Sequence, residues 1–307
     1  MKPCPVRLTA LALMILGGGC VNSPPESATV QQASLWQPNG LVFSTVTGTA
    51  SDGQSYPNDF SSPESFPDEA DTVFAEQFKS RTDINVKADA PVGVFVATLE
   101  SAYSAKTLKI AALVAEGIEG EYEPPLAWVV EALGLDIDVG GETLELSKSP
   151  EPIGDGISIP MMRAAAPGRV HLMPVARYSP DFSLPFGYYT VDGDEPDYVQ
   201  VNRIAVAWGF GDTSRNHQRL MPRVSFTSKL SFDPPAGTFG LYCQSPTHTT
   251  HTDPTLNVGE GHQTQHAVRV YPLPDVEHAY LVCFEEAANG DYQDYVFVIT
   301  NVEPAAN

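Results

Sequence analysis

Beyond residue 155 the chain breaks into short β-type segments, and this rhythm constrains the fold more than any other feature. Apolar and β-branched residues gather at 169–178, 186–191, 198–207, 224–232, 238–244, 267–273, 279–284 and 295–302. Gly, Pro, Asn and Asp collect between them, as turns require. The 27 prolines oppose a helical fold, since proline breaks a helix ladder and is tolerated at strand edges and connections. Segment 279–284 (Ala-Tyr-Leu-Val-Cys-Phe) is apolar on both faces, which predicts a central strand. The pattern predicts an all-β fold, an antiparallel β-sandwich of jelly-roll or Ig-like type, over 153–307.

The preceding stretch, 76–152, reads as a smaller β-rich region. Val92, Val94 and Val96 alternate with smaller or opposite-facing residues, a strand signal. Residues 106–115 are apolar and fit strand or helix. Leu126, Val129, Val130 and Leu133 stand at helical spacing between two prolines and Gly134, predicting a short helix over 125–135. Residues 143–147 alternate and predict a strand. Residues 20–75 are rich in Ser, Thr, Pro, Gln and Asn and read as a disordered tether, with a lone strand at 41–46.

Residues 1–19 have the layout of an export signal. Lys2 and Arg7 precede a short apolar run that ends in three glycines and Cys20. The arrangement resembles a bacterial lipoprotein signal, with Cys20 as the lipidated first residue, although Leu16 stands four positions before the cysteine where three is usual. Ordinary secretion is the alternative. Lipidation predicts a lipid anchor in the bacterial cell envelope, at the outer membrane. Loss of Lys2 and Arg7 would take the net charge from −21 to −23. Such a balance excludes nucleic acid and an anionic bilayer surface as electrostatic partners. Cys243 and Cys283 would then be the remaining thiols, either bridged or separately buried.

The chemistry concentrates after segment 279–284. Glu285, Glu286, Asn289, Asp291 and Asp294 supply oxygen donors within ten residues, between two β-type runs. Calcium takes six to eight such donors. Neighbours on a strand face opposite ways, so Glu285 and Glu286 cannot both reach one ion unless the strand has ended. Asp291 and Asp294 are the firmer ligands.

Residues 284–302 resemble the end of a bacterial extracellular β-sandwich family of undefined function, whose members carry Phe-Glu-Asp followed by Asp-x-Asp-(Tyr/Phe)-Asn-Asp-x-Val-Phe. Phe284, Glu285 and Glu286 match the first element; Asp291, Tyr292, Asp294 and Phe297 match parts of the second, with Gln293 where Asn is preferred. Asp253, Leu256, Asn257, His266 and Tyr271 resemble an upstream family segment. The resemblance spans roughly 186–304 and implies a calcium site, with Asp253, Asn257 and His266 as further metal or structural residues.

Other constellations are weaker. The acidic turn 192–197 reads as a solvated hairpin. His248, His251, His262 and His266 lack zinc-like spacing and read as loop histidines, His266 in a structural role. Tyr188, Tyr189, Trp208 and Phe210 read as core aromatics ahead of a sugar platform. No nucleophile elbow, zinc-protease or phosphate-loop motif occurs, and no catalytic residue is assigned. The expectation is a non-enzymatic surface lipoprotein whose calcium-stabilised sandwich binds or adheres to a glycan or protein. The alternative is a secreted hydrolase using a carboxylate pair or the His248–His266 cluster.

Overall fold

The computed structural model describes residues 29–34, 44–49, 93–100, 107–115, 123–180, 182–205, 218–222, 224–225, 230–257 and 264–305. The signal segment, Cys20, His262, Trp208 and Phe210 lie outside these.

Two antiparallel sheets face each other across the main core. The larger contains β6 (Val170–Arg177), β13 (Val268–Pro272), β14 (Ala279–Phe284) and β15 (Tyr295–Thr300) in the order β6-β15-β14-β13. Two short strands, β9 (Arg219–Leu220) and β10 (Ser231–Phe232), pair with opposite ends of β6. The smaller sheet has the order β12-β11-β7-β8, from β7 (Leu184–Val191), β8 (Pro196–Ile204), β11 (Gly240–Gln244) and β12 (Thr249–His251). β5 (Met162–Ala164) and β16 (Val302–Pro304) form a two-stranded ribbon.

The architecture is the all-β sandwich that the segment rhythm predicts. Strand alternation divides the side chains. Val170, Leu172, Val282, Phe284, Phe297 and Ile299 of the larger sheet meet Leu184, Phe186, Phe239, Leu241 and Cys243 from the other side. Phe297 packs its ring 4.8 Å from that of Phe186 and 5.6 Å from that of Phe284. A register shift opposite Val296 and Phe297 inserts Val175, whose carbonyl accepts the Met221 amide.

The larger sheet is covered on its second face as well. Leu281, Cys283, Val296, Val298 and Tyr271 pack against α1 (Leu126–Ala132), Val139 and Leu146. This double cover is why β14 and β15 read as continuous apolar runs, and β14 is interior as expected. Helix α1 follows Pro124 and Pro125 and buries Leu126, Val129 and Val130. It ends in a Schellman turn: Gly134 N donates to Glu131 O and Leu135 N to Val130 O, with Gly134 at φ +72°. Leu113 of β4 (Thr107–Ala115) joins the same cluster. β4 belongs to a further sheet ordered β2-β1-β4-β3, with β1 (Thr29–Ser34), β2 (Ser44–Thr49) and β3 (Gly93–Glu100). Thus β1 and β2 fall within the stretch read as a tether, the rest of which lies outside the described residues.

Two expectations change, and of the two states open to the cysteines one is found. Residues 143–147 are not a strand: the Leu146 amide donates to Gly290 O at 2.7 Å, and Thr143 turns its hydroxyl onto Glu145 O, so the ladder donors are used elsewhere. Of 224–232, Ser231–Phe232 is laddered and Val224 makes an isolated bridge to Ile204; 226–229 lie outside the described residues. Cys243 and Cys283 are free thiols. They belong to different core clusters on the two faces of the larger sheet, so the sheet stands between them.

Core and edge positions should respond differently. Phe297→Ala is expected to cost about 3–5 kcal/mol in urea denaturation. Val199→Ala, at a position 40% exposed, should stay within about 0.5 kcal/mol of wild type.

Candidate metal centre

The hairpin connection between β14 and β15 is a ten-residue loop, and most of it is buried. Glu285 and Asp291 are 0% exposed and Asp294 is 5% exposed. One carboxylate oxygen from each lies within 4.8 Å of the others. Backbone conformation produces this convergence. Gly290 at φ +87° and Tyr292 at φ +57° turn the chain back on itself. A Cβ on Gly290 would meet Lys148 Cε at 2.9 Å and Leu146 O at 3.2 Å, so residues 146–148 close over the turn.

Glu285 organises the loop from inside. Its Oε1 accepts the Ala287 amide at 2.9 Å, and its Oε2 accepts those of Gly290 at 2.8 Å and Asp291 at 3.0 Å. Asp294 Oδ2 accepts the Glu286 amide at 2.6 Å. Tyr292 donates its hydroxyl to His266 O at 3.0 Å, and the Arg269 guanidinium lies 5.0 Å over its ring. The same guanidinium donates to the carbonyls of Ser147, Ser149 and Glu151. The loop is therefore fixed against both β13 and the 146–151 segment.

Its electrostatics are unbalanced. Among the described residues, no Lys, Arg or His forms an ion pair with Glu285, Asp291 or Asp294; the two recorded ion pairs, Arg163–Glu303 and Arg169–Asp233, lie elsewhere at the surface. Two like charges at this spacing repel by roughly 3 kcal/mol at an effective dielectric of about 20. Three such pairs would consume a large part of a typical fold stability of about 5–15 kcal/mol. Burial, followed by the charges of Glu285 and Glu123, pushes Asp291 up to about 8. Burial, followed by Asp291 and Glu285, holds Asp294 well above the carboxylate range. Three buried oxygens in the loop also have no hydrogen-bond partner: Asp291 Oδ1, Asn289 Oδ1 and Gln293 Oε1. Unpaired buried oxygens beside crowded carboxylates make a donor set for a hard cation.

Of the residues singled out in the sequence, Glu285, Asp291 and Asp294 converge, and Asn289 stands 2.5 Å from Asp291 Oδ2 through its amide. Glu286 does not join them. Its carboxylate accepts the Tyr295 hydroxyl at 3.1 Å, because its side chain leaves the backbone opposite to that of Glu285. Asp253 accepts the Thr255 amide and hydroxyl and caps a 3-10 turn at Pro254–Leu256. Asn257 Oδ1 accepts the His251 amide, and its Nδ2 donates to the carbonyls of His251 and Gln265. The His266 carbonyl receives Tyr292, while burial and the Arg269 charge lower its ring pKa. Asp253 and Asn257 order the chain between β12 and β13, and His266 holds Tyr292 of the loop through its carbonyl; none of the three is among the converging carboxylates. His251 is held by the Tyr198 hydroxyl at 2.7 Å and by Asn257. The turn 192–197 is an exposed β7–β8 hairpin.

Sequence reasoning missed Glu123. Its Oε1 accepts Gln218 Nε2 at 3.0 Å and its Oε2 accepts Gln293 Nε2 at 3.1 Å. No local pattern marks it; it follows Tyr122 and precedes two prolines, far along the chain from both amides.

The fold and site together define an all-β sandwich protein with a buried acidic cluster able to hold a metal ion. No family model, curated protein or solved structure matches this chain.

The pH response of chelator-treated protein follows from the raised carboxyl groups. Folded Asp291 and Asp294 keep protons that an unfolded chain releases near pH 4. The folded state then binds more protons, so stability falls as pH rises from about 4 to about 8. Urea titrations at pH 5 and pH 8 should show the loss, about 4 kcal/mol from Asp291 alone over three pH units. Asp291→Asn should flatten the slope.

Proposed function

We infer that the 285–294 loop is a structural divalent-cation site suited to calcium, and that the protein is an exported surface module. The observation that carries this reading is the enclosed trio of Glu285, Asp291 and Asp294, with unpaired Asp291 Oδ1 and Asn289 Oδ1 beside it. All donors are oxygens, which suits a hard cation and disfavours zinc or copper. Calcium also matches the resemblance of Phe284–Glu286 and Asp291–Phe297 to the extracellular β-sandwich family.

The role is structural because the carboxylates lie beneath the surface, where no substrate reaches them. The ion closes the end of the central hairpin and offsets its charge. The sandwich then serves as a rigid body for binding or adhesion to a glycan or protein, tethered through lipidated Cys20. The acidic chain, with 38 carboxylates against 17 basic side chains, suits a cation-rich exterior.

Thermal denaturation with and without calcium tests the site. Calcium at about a hundred times its Kd should add about 2.7 kcal/mol, raising Tm by roughly 5–10 °C. Asp291→Ala combined with Asp294→Ala should abolish the shift, whereas Glu286→Gln should retain it. Absence of a shift in wild type would refute the cation reading. For the anchor, Cys20→Ser should move the protein from the membrane fraction to the soluble fraction on cell fractionation; an unchanged distribution would rule lipidation out.

A further inference from the structure

We propose that Glu123 is a distal member of the cation site, so that ion binding by the 285–294 loop and docking of the α1 cap onto the larger sheet are one event. The proposal rests on the cation reading and extends it from one loop to the contact between two parts of the chain.

The argument begins with connectivity. Glu123 belongs to the segment that enters α1, and Gln293 to the acidic loop. The two are 170 residues apart, yet Gln293 Nε2 donates to Glu123 Oε2 at 3.1 Å. Gln218 Nε2 donates to the other oxygen at 3.0 Å and reaches Ser179 O at 3.4 Å. Gln293 is 0% exposed and Gln218 1% exposed, so both amides are interior groups. Gln293 stands between Asp291 and Asp294 in sequence, so one side chain links Glu123 to the loop that carries the trio. Its Oε1 remains buried without a partner. In the proposal that free oxygen turns to the cation, while the Nε2 of the same amide stays on Glu123.

The cap is fastened to the loop at a second place. Beyond α1, the Leu146 amide donates to Gly290 O at 2.7 Å, and Lys148 lies against Gly290. Arg269 draws 147–151 inward through three carbonyls while stacking on Tyr292 of the loop. Between these fastenings, Leu126, Val129, Val130, Val139 and Leu146 cover Tyr271, Leu281 and Val298. The loop is thus gripped from both ends of the cap. A loop conformation that the ion favours is also the one that receives Glu123 and Leu146. Linkage then requires that cap docking strengthen ion binding by the factor by which the ion strengthens docking.

Hydrogen exchange of the full chain, in calcium chloride and in chelator, tests this. Calcium should slow exchange at least tenfold in 285–294 and also in 123–151. In Glu123→Gln, saturating calcium should still protect the loop, while the added protection of 123–135 is lost. Val129→Ala touches no ligand and keeps the helix. It should lower calcium affinity by about fivefold or more, within the usual range of coupling between sites. If calcium protects 285–294 while 123–151 exchanges equally in both conditions, the cation site stands and the coupling is wrong. Unchanged affinity in Val129→Ala refutes the coupling in the same way. If neither segment responds, both readings fall together.

Discussion

Burial of carboxylate charge at the turn of the β14–β15 hairpin is the interaction on which the rest of the structure depends. These two strands are the middle of the larger sheet, and their connection has to be enclosed because both faces of that sheet are covered. An enclosed turn must satisfy its backbone amides without water. Glu285 does so by accepting three of them, and Asp294 accepts a fourth. The carboxylates therefore earn their place as acceptors first. Their proximity to one another follows from wrapping a single tight turn, and the repulsion that results has to be relieved by protons or by a cation.

A nearby guanidinium does not relieve it. Arg177, at the end of β6, is fully buried and lies in register with Tyr295 at the start of β15. It donates to the Ser179 hydroxyl and to the carbonyls of Pro180 and Phe182, with its plane 5.8 Å from the Phe182 ring. Its charge acts on Glu286 and Cys243. A fixed guanidinium at the trio would have made a permanent ion pair, which pays its desolvation once and cannot be withdrawn. Among the described residues, Glu285, Asp291 and Asp294 form no ion pair with a basic side chain, an arrangement that leaves the turn responsive to an ion in solution.

The sandwich was legible because strand periodicity is local. The β-type segments 169–178, 186–191 and 267–273, with turn residues between them, predicted strands that the fold contains at 170–177, 184–191 and 268–272. The double apolar character of 279–284 predicted a central strand, and β14 is interior to its sheet. What covers the second face was harder to read. Helix α1 has a clear local pattern and was found, but 143–147 alternates like a strand and is drawn off by a single bond to Gly290, a partner far along the chain. In the site, Asp291 and Asp294 were visible because their spacing within one turn is itself the signal. Pleat alternation allowed only one of Glu285 and Glu286 to enter unless the strand had ended; β14 ends at Phe284, and Glu285 alone belongs to the trio. Glu123 was invisible, since the two amides it accepts, at 218 and 293, lie far along the chain from it.

The same contrast explains why Asp253 and Asn257, upstream of β13, turn to backbone groups. Asp253 and Asn257 carry side chains suited to a metal, yet each first meets backbone groups within its own turn: Asp253 the Thr255 amide, Asn257 the amide and carbonyl of His251. Short polar side chains are captured locally whenever the backbone offers unsatisfied groups within reach. Glu285 is captured in the same manner, but by a turn that also brings Asp291 and Asp294 inward. What separates a capping residue from a ligand here is the company that the turn encloses. In 251–257 the enclosed neighbours are an imidazole and a tyrosine hydroxyl that complete one another's hydrogen bonds. In 285–294 they are further carboxylates, which only a cation or protons can reconcile.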